Sequence, residues 1–225
     1  MDRVAFITDI DTPLGESLVR LYLEENNQVI ATVSSPENSA LPEDFSHLKE
    51  SAGDSLLIEP WNRHSPISAK NVYLKAITHF NRLDEVLLIG NNDLSCPLLH
   101  QVGFEVIERA IDSWIKGNLF FLKSILARFL EKGGGILALI SIDFNHPTSA
   151  LEETLRHSFL GLARSLLQTY GNKGINVNAF ESSVNQIDEF SRYIYRNLTE
   201  RGRKDSGRWL RYRSGILSGL RTGSQ

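Results

Sequence analysis

Cysteine is almost missing: Cys96 is the only one in 225 residues. An internal disulfide framework is excluded, and this usage fits a reducing compartment. Cys96 stands beside Pro97 with no paired histidine motif nearby, so it reads as buried and inert rather than nucleophilic. Histidines are sparse. His47, His64, His79, His100, His146 and His157 show neither an HxxxH nor a His/Cys metal spacing, so no metal site is expected. Neither sign of charge is in large excess, with 24 Lys and Arg against 27 Asp and Glu and a net charge of -3. That balance, with no recognised nucleic-acid module, argues against a nucleic-acid partner. Long apolar runs are absent, so no membrane-spanning helix is expected. The chain enters an apolar run at Val4, which leaves no room for a signal peptide and predicts a cytoplasmic protein. Internal repeats and low-complexity linkers are absent too. A chain of this length that is 41% hydrophobic suits a single soluble domain over residues 1–225.

Short apolar runs do alternate with helical patterns. Candidate strands are Val4–Ile7, Val29–Val33, Ser55–Ile58, Glu85–Ile89, Ile136–Ile140 and Ile175–Phe180. Candidate helices lie at Leu14–Asn26, Ala69–Phe80, Glu105–Lys132 and Ala150–Tyr170. Strands that read as continuous apolar runs are buried on both faces, and alternation with helices makes the sheet parallel. The prediction is an α/β fold with a doubly wound parallel sheet of six strands in three layers.

The first strand–turn–helix has the context of a dinucleotide-binding loop, and hence of a Rossmann-like unit. Of the three glycine positions in such a loop only Gly15 is kept; Asp9 and Pro13 occupy the other two. A pyrophosphate needs backbone N–H donors, close approach and a positive field. Asp9 and Asp11 would repel phosphates, and they could serve the helix N-terminus as built-in anions. Thr12 then Pro13 reads as an N-cap followed by the first helical residue.

After Phe180 no further strand is expected, and residues from about 187 to 225 read as a basic C-terminal extension. Between Arg201 and Arg221 seven basic residues face one acid, Asp205, with Trp209, Leu210, Tyr212 and other apolar residues interleaved. One reading is a solvated helix that covers the sheet edge. The other is a contact surface for an acidic partner or an anionic membrane.

Several short motifs, in order, resemble the short-chain dehydrogenase/reductase (SDR) family over roughly residues 3–184. Arg82-Leu83-Asp84 leads into the fourth strand, and Gly133-Gly134-Gly135-Ile136 opens the fifth. Gly161-Leu162-Ala163-Arg164-Ser165-Leu166 is similar to the middle of the family's long helix after the catalytic tyrosine. Gly174-Ile175-Asn176-Val177-Asn178-Ala179 is similar to the sixth strand. The resemblance implies NAD(P) as cofactor and a catalytic Asn, Ser, Tyr and Lys. In the family, tyrosine exchanges a proton with the substrate oxygen while a hydride moves to or from the nicotinamide. Lysine lowers the tyrosine pKa, and serine orients the carbonyl.

Carried onto this chain, the asparagine position falls on Trp114, counted from Gly117. The serine position falls on Ser141, the tyrosine position on Glu152 and the lysine position on Arg156. Only the serine is retained. Glutamate ionises near about pH 4.3 against about 10 for tyrosine, and a nearby arginine favours the carboxylate. Ser149-Ala150-Leu151-Glu152 also forms a capping-box pattern, and Glu152 and Arg156 are spaced for an i, i+4 ion pair. The cofactor positions differ as well. The second strand ends Val33-Ser34-Ser35, with no acid for an adenosine ribose. The family's Asn-Asn-Ala-Gly aligns with Leu88-Ile89-Gly90-Asn91, its Pro-Gly with Ser182-Ser183, and its last strand is not visible.

The sequence thus predicts a catalytically degenerate SDR-like protein acting as a homodimer or with an active paralogue; the residues assign it no cofactor, and NAD(P) stands as what the resemblance implies. The family's pairing helices correspond to Glu105–Lys132 and Ala150–Tyr170. Two alternatives stay open. One is an NAD(P)-dependent oxidoreductase with a reorganised site. The other is a non-redox enzyme or small-molecule sensor using the crevice near Ser141, Glu152 and Arg156, where Glu152 could act as a general base.

Overall fold

The computed structural model describes residues 3–33, 43–90, 97–142, 149–183, 186–201 and 206–213. Ser34, Asn91, Asn92, Cys96 and His146 lie outside the described residues.

Seven strands form one sheet: β1 (Val4–Ile7), β2 (Gln28–Val33), β3 (Leu56–Pro60), β4 (Glu85–Ile89), β5 (Gly135–Ile142), β6 (Ile175–Ser182) and β7 (Arg208–Tyr212). Their order is β3-β2-β1-β4-β5-β6-β7, and every pairing is parallel. β1 and β4 are buried at every residue, as strands covered on both faces must be. Among the described residues the α-helices are α1 (Pro13–Glu24), α2 (Glu43–Ala52), α3 (Pro66–Phe80), α4 (Phe104–Ala110), α5 (Gly117–Lys132), α6 (Ala150–Tyr170) and α7 (Ile187–Arg196). Side chains of α1, α2 and α7 share one core with Ile7, Ala31 and Ile140. Those of α3, α5 and α6 share the other with Phe6, Val86 and Leu139. The result is a three-layer Rossmann-like fold.

The sheet has seven strands rather than six. The stretch expected as a solvated edge helix contains β7, in register with β6 from Asn178↔Arg208 to Ser182↔Tyr212. Its alternation hid it. Trp209 packs on one face of the sheet, whereas Leu210 and Tyr212 pack on the other. Arginines between them give an edge strand without an apolar run. Side chains of β6 also fix it: the Arg208 N–H donates to Asn178 Oδ1 at 3.2 Å, and Trp209 Nε1–H to Glu181 Oε2 at 2.9 Å.

The stretch expected as a helix over Glu105–Lys132 is helical throughout, but not α-helical throughout. A π-helical turn, Ile111–Lys116, separates α4 from α5. Such a turn shifts the ladder by one residue and frees a carbonyl. Here the Asn118 side-chain amide donates to the Trp114 carbonyl at 2.7 Å.

Candidate functional site

β1 pairs with both β2 and β4, so the strand order reverses beside it. In open α/β sheets the crevice outside such strand ends is the usual ligand site. The loop after β1 enters it with Asp9 at φ 57°, in the left-handed region. Asp tolerates this conformation better than most side chains. Gly15 is required by packing: a Cβ there would sit 2.0 Å from the Asp9 carbonyl oxygen.

The N–H groups of this loop bond within the protein. Thr12 N–H and Thr12 Oγ1–H both donate to the Asp9 carbonyl, at 2.9 and 2.7 Å. The Gly15 N–H donates to Thr12 Oγ1 at 3.1 Å, the Ile10 N–H donates to the Thr32 carbonyl at 2.9 Å, and Pro13 has no N–H. Thr12 is the N-cap of α1 with Pro13 at the first helical turn. The cap is made by Thr12 and not by the Asp9 carboxylate.

That carboxylate points elsewhere. Arg63 Nη2 donates to both Asp9 oxygens at 2.6 Å, and Arg63 Nη1 donates to Asn118 Oδ1 at 2.7 Å. Asp9, Arg63 and Asn118 are 1%, 3% and 1% exposed, so this is a buried ion pair and not a surface one. The guanidinium lies 4.0 Å from the Trp61 ring centroid and 4.5 Å from that of Trp114, within cation–π range of both. Burial raises the Asp9 carboxyl above its ordinary range, and the Arg63 charge opposes that rise. Gly117 lets α5 cross this loop, since a Cβ there would lie 2.8 Å from both Arg63 Cβ and its carbonyl oxygen. The sequence reading set Asp9 against phosphates. The structure corrects this: Asp9 is turned inward and neutralised by Arg63.

Arg63, Trp61 and Asn118 were not singled out by sequence reasoning. The available signal was a cation just beyond the third strand, on the same sheet edge as an acid in the first loop. Trp114, at the family's asparagine position, serves as one wall for Arg63.

The other positions are spread out. Ser141 sits near the carboxyl end of β5, 3% exposed and in register with Glu181 of β6. Glu152 caps α6: its Oε2 accepts the Ser149 N–H at 2.7 Å, and its own N–H donates to Ser149 Oγ at 3.2 Å. No hydrogen bond joins Ser141 to Glu152 among the described residues. Arg156 donates to Glu153 at 2.6 and 3.0 Å, an i, i+3 partner and not the i, i+4 partner read from spacing. Ser182 ends β6, 1% exposed, with Ser183 just after it. No group of His, Cys, Asp and Glu among the described residues could hold a metal ion, and no described helix is long and apolar enough to cross a membrane.

Residues that would hold an NAD(P) pyrophosphate do not fit that group well. The loop donors are largely used internally, a proline removes one, and the Asp9 carboxylate is buried against Arg63.

No protein-family profile matches the chain. It is similar to an uncharacterized oxidoreductase of Thermotoga maritima, with 23% identity over 182 residues, covering 79% of this chain and 69% of that protein. It is also similar to xanthoxin dehydrogenase of Arabidopsis thaliana, with 26% identity over 186 residues, covering 79% of this chain and 64% of that protein. The solved structure of ElxO with NADP bound has a TM-score of 0.76 at 18% identity, covering 94% of this chain and 97% of that one. A Tyr-to-Phe variant of ElxO with NADPH bound gives the same values. The chain therefore has the three-layer Rossmann-like fold of these solved structures.

Proposed function

We propose that this chain is a catalytically degenerate SDR-like protein that works through association, as a homodimer or with an active relative of the same fold. The observation that carries this reading is the buried Asp9–Arg63 pair at the switch point, at 2.6 Å. It holds the nucleotide loop closed on the protein's own groups. The loss of the tyrosine and lysine positions to a helix cap, Glu152, and a surface ion pair, Arg156, supports the same reading.

Association is supported by the outer face of α5 and α6. A groove of about 400 Å³ runs between them, lined by Leu122, Leu126, Leu162, Leu166 and Tyr170. Leu119 and Leu130 on its margins are 48% and 44% exposed. Such a stripe is more apolar than a helix face that stays in water. Changing Leu119 and Leu130 to lysine together is expected to convert a dimer to a monomer in sedimentation velocity with little change in melting temperature. A wild-type protein that sediments as a monomer and captures no protein of this fold would overturn the association reading.

A second reading, an NAD(P)-dependent oxidoreductase with a reorganised site, is favoured by the relatives, which carry oxidoreductase and dehydrogenase names. Cofactor titration separates the two.

A further inference from the structure

Glu85 opens β4 with its side chain fully buried, and neither carboxyl oxygen has a hydrogen-bond partner among the described residues. Side chains alternate along a strand, so Glu85 shares the face of Leu87 and Ile89, which α1 and α7 cover. Arg3, just before β1, places Nη1 3.7 Å from Glu85 Oε2. Tyr22 of α1 brings a buried hydroxyl that also lacks a partner, and Tyr195 of α7 packs edge-on against Tyr22 with ring centroids 4.9 Å apart. The Asn27 side chain ties these groups together: it accepts the Arg3 N–H at 3.2 Å and donates to the Tyr195 hydroxyl at 3.2 Å. Asp84 turns instead to Arg82 and Lys132, at 2.7 and 3.4 Å. β5, the neighbouring strand, brings Gly135 and Ile136. A π-helical turn, Asn197–Arg201, follows α7 and carries one carboxylate, Glu200. No histidine lies in β1, α1, β4, α7 or that turn.

The Arg3 guanidinium is divided between two sets of acceptors. Nη1 donates to the Leu198 carbonyl at 3.3 Å and Nη2 to the Thr199 carbonyl at 3.5 Å, both in the π turn. A cation suits these carbonyls, because a helix end leaves such groups unpaired. The same Nη1 is the nitrogen that approaches Glu85, and at 3.7 Å it stands beyond hydrogen-bond reach of the carboxyl. A neutral Glu85 leaves this division standing. An ionised Glu85 has two bare oxygens in a buried site, where a carboxylate attracts a cation more strongly than a carbonyl dipole does. We propose that Arg3 is a proton-controlled latch: it ties the π turn after α7 to β1 while Glu85 is neutral, and gives up the Leu198 carbonyl for the carboxylate when Glu85 ionises. Burial raises the Glu85 carboxyl to about 7, with Arg3 opposing the rise, so the exchange falls near neutral pH. The latch is closed below that value and released above it. The turn precedes β7 in the chain, so release loosens the hold on the segment that leads to the last strand. The proposal does not rest on whether the crevice at Asp9 binds a cofactor.

Amide hydrogen exchange of the intact protein, corrected for the intrinsic effect of pH, tests the latch. Amides of Asn197–Arg201 are expected to lose about tenfold in protection between about pH 6 and about pH 8, one unit either side of the Glu85 value. The carboxyl carbon-13 shift of Glu85 should titrate with the same midpoint. Glu85→Gln should keep the turn protected at both pH values. Arg3→Met should leave it poorly protected at both, with no step between them. Glu200→Gln removes the turn's own carboxylate and should retain the step. Protection of the wild-type turn that does not change with pH would overturn the proposal, as would a step that persists in Glu85→Gln. A step of wild-type size in Arg3→Met would overturn it too, because weakening of the whole fold, and not release of Arg3, would then be its source.

Discussion

Arg63→Ala is expected to destabilise the fold by about 3–5 kcal/mol, the size seen when one partner of a buried ion pair is removed. The reason is what the change leaves behind. Asp9 is 1% exposed, and its carboxylate would lose the only cation bonded to it among the described residues. Asn118 would lose its Arg63 donor, and the space between Trp61 and Trp114 would empty. Changing both members, Asp9→Asn with Arg63→Met, is expected to recover much of the loss, since neither charge then stays buried alone. Asn suits position 9 because it accepts the left-handed backbone found there. Urea unfolding followed by tryptophan fluorescence reads this directly, as two of the three tryptophans flank the guanidinium. A loss below about 1 kcal/mol, typical of an exposed pair, would contradict a sealed site.

Glu85→Gln is expected to act in the opposite direction and only at high pH. Glu85 stands at the start of β4, fully buried, with both carboxyl oxygens lacking a hydrogen-bond partner. Burial raises its pKa from 4.5 to about 7, and Arg3, with Nη1 at 3.7 Å, only partly opposes the rise. The unfolded chain releases this proton near its ordinary value, whereas the folded chain keeps it. Stability associated with the neutral acid is therefore complete below about pH 4.5 and is lost as pH rises through about 7. The full loss corresponds to about 3 kcal/mol. Glutamine stays neutral, so the variant should match wild type near pH 4.5 and exceed it by up to about 3 kcal/mol near pH 8. Denaturant unfolding at both pH values measures the difference. A variant less stable than wild type at high pH would mean that the ionised Glu85–Arg3 pair holds the fold together.

Arg3 also ties this corner to the segment after α7, donating to the Leu198 and Thr199 carbonyls at 3.3 and 3.5 Å. Loss of stability with rising pH should therefore be felt at the base of α7 as well as in β1 and β4.

The strands that carry continuous apolar runs were legible, because burial on both faces leaves a local signature. β1 and β4 match their sequence ranges, and α6 does so with its capping box. β7 was not legible: its five residues, Arg-Trp-Leu-Arg-Tyr, mix arginines with apolar groups in a pattern shared with a short amphipathic helix. The long helix read as unbroken because its apolar spacing continues through the π turn. Just after that turn, Gly117 packs closely on Arg63, a contact between residues distant in sequence. The site shows the same division. Asp9 and Pro13, where a dinucleotide loop has glycines, were visible one residue at a time. Their consequence was not, because Asp9 meets a partner 54 positions away. Sequence alone therefore suggested exclusion of phosphate by like charge. In the folded chain Asp9 is instead paired with Arg63, and Thr12 caps α1.

This arrangement separates scaffold from chemistry. The sheet order and the Gly15 turn keep the geometry of a nucleotide-binding fold. The hydrogen-bond donors and cation at its mouth are bonded to Asp9, Thr12 and Asn118. Fluorescence titration of the intact protein with NADPH and with NADH tests this most directly, because Trp61 and Trp114 flank Arg63, the partner of Asp9 in the loop after β1. A closed, self-bonded loop predicts no saturable change with either nucleotide. Saturable binding in the micromolar range would contradict it and would favour the oxidoreductase reading.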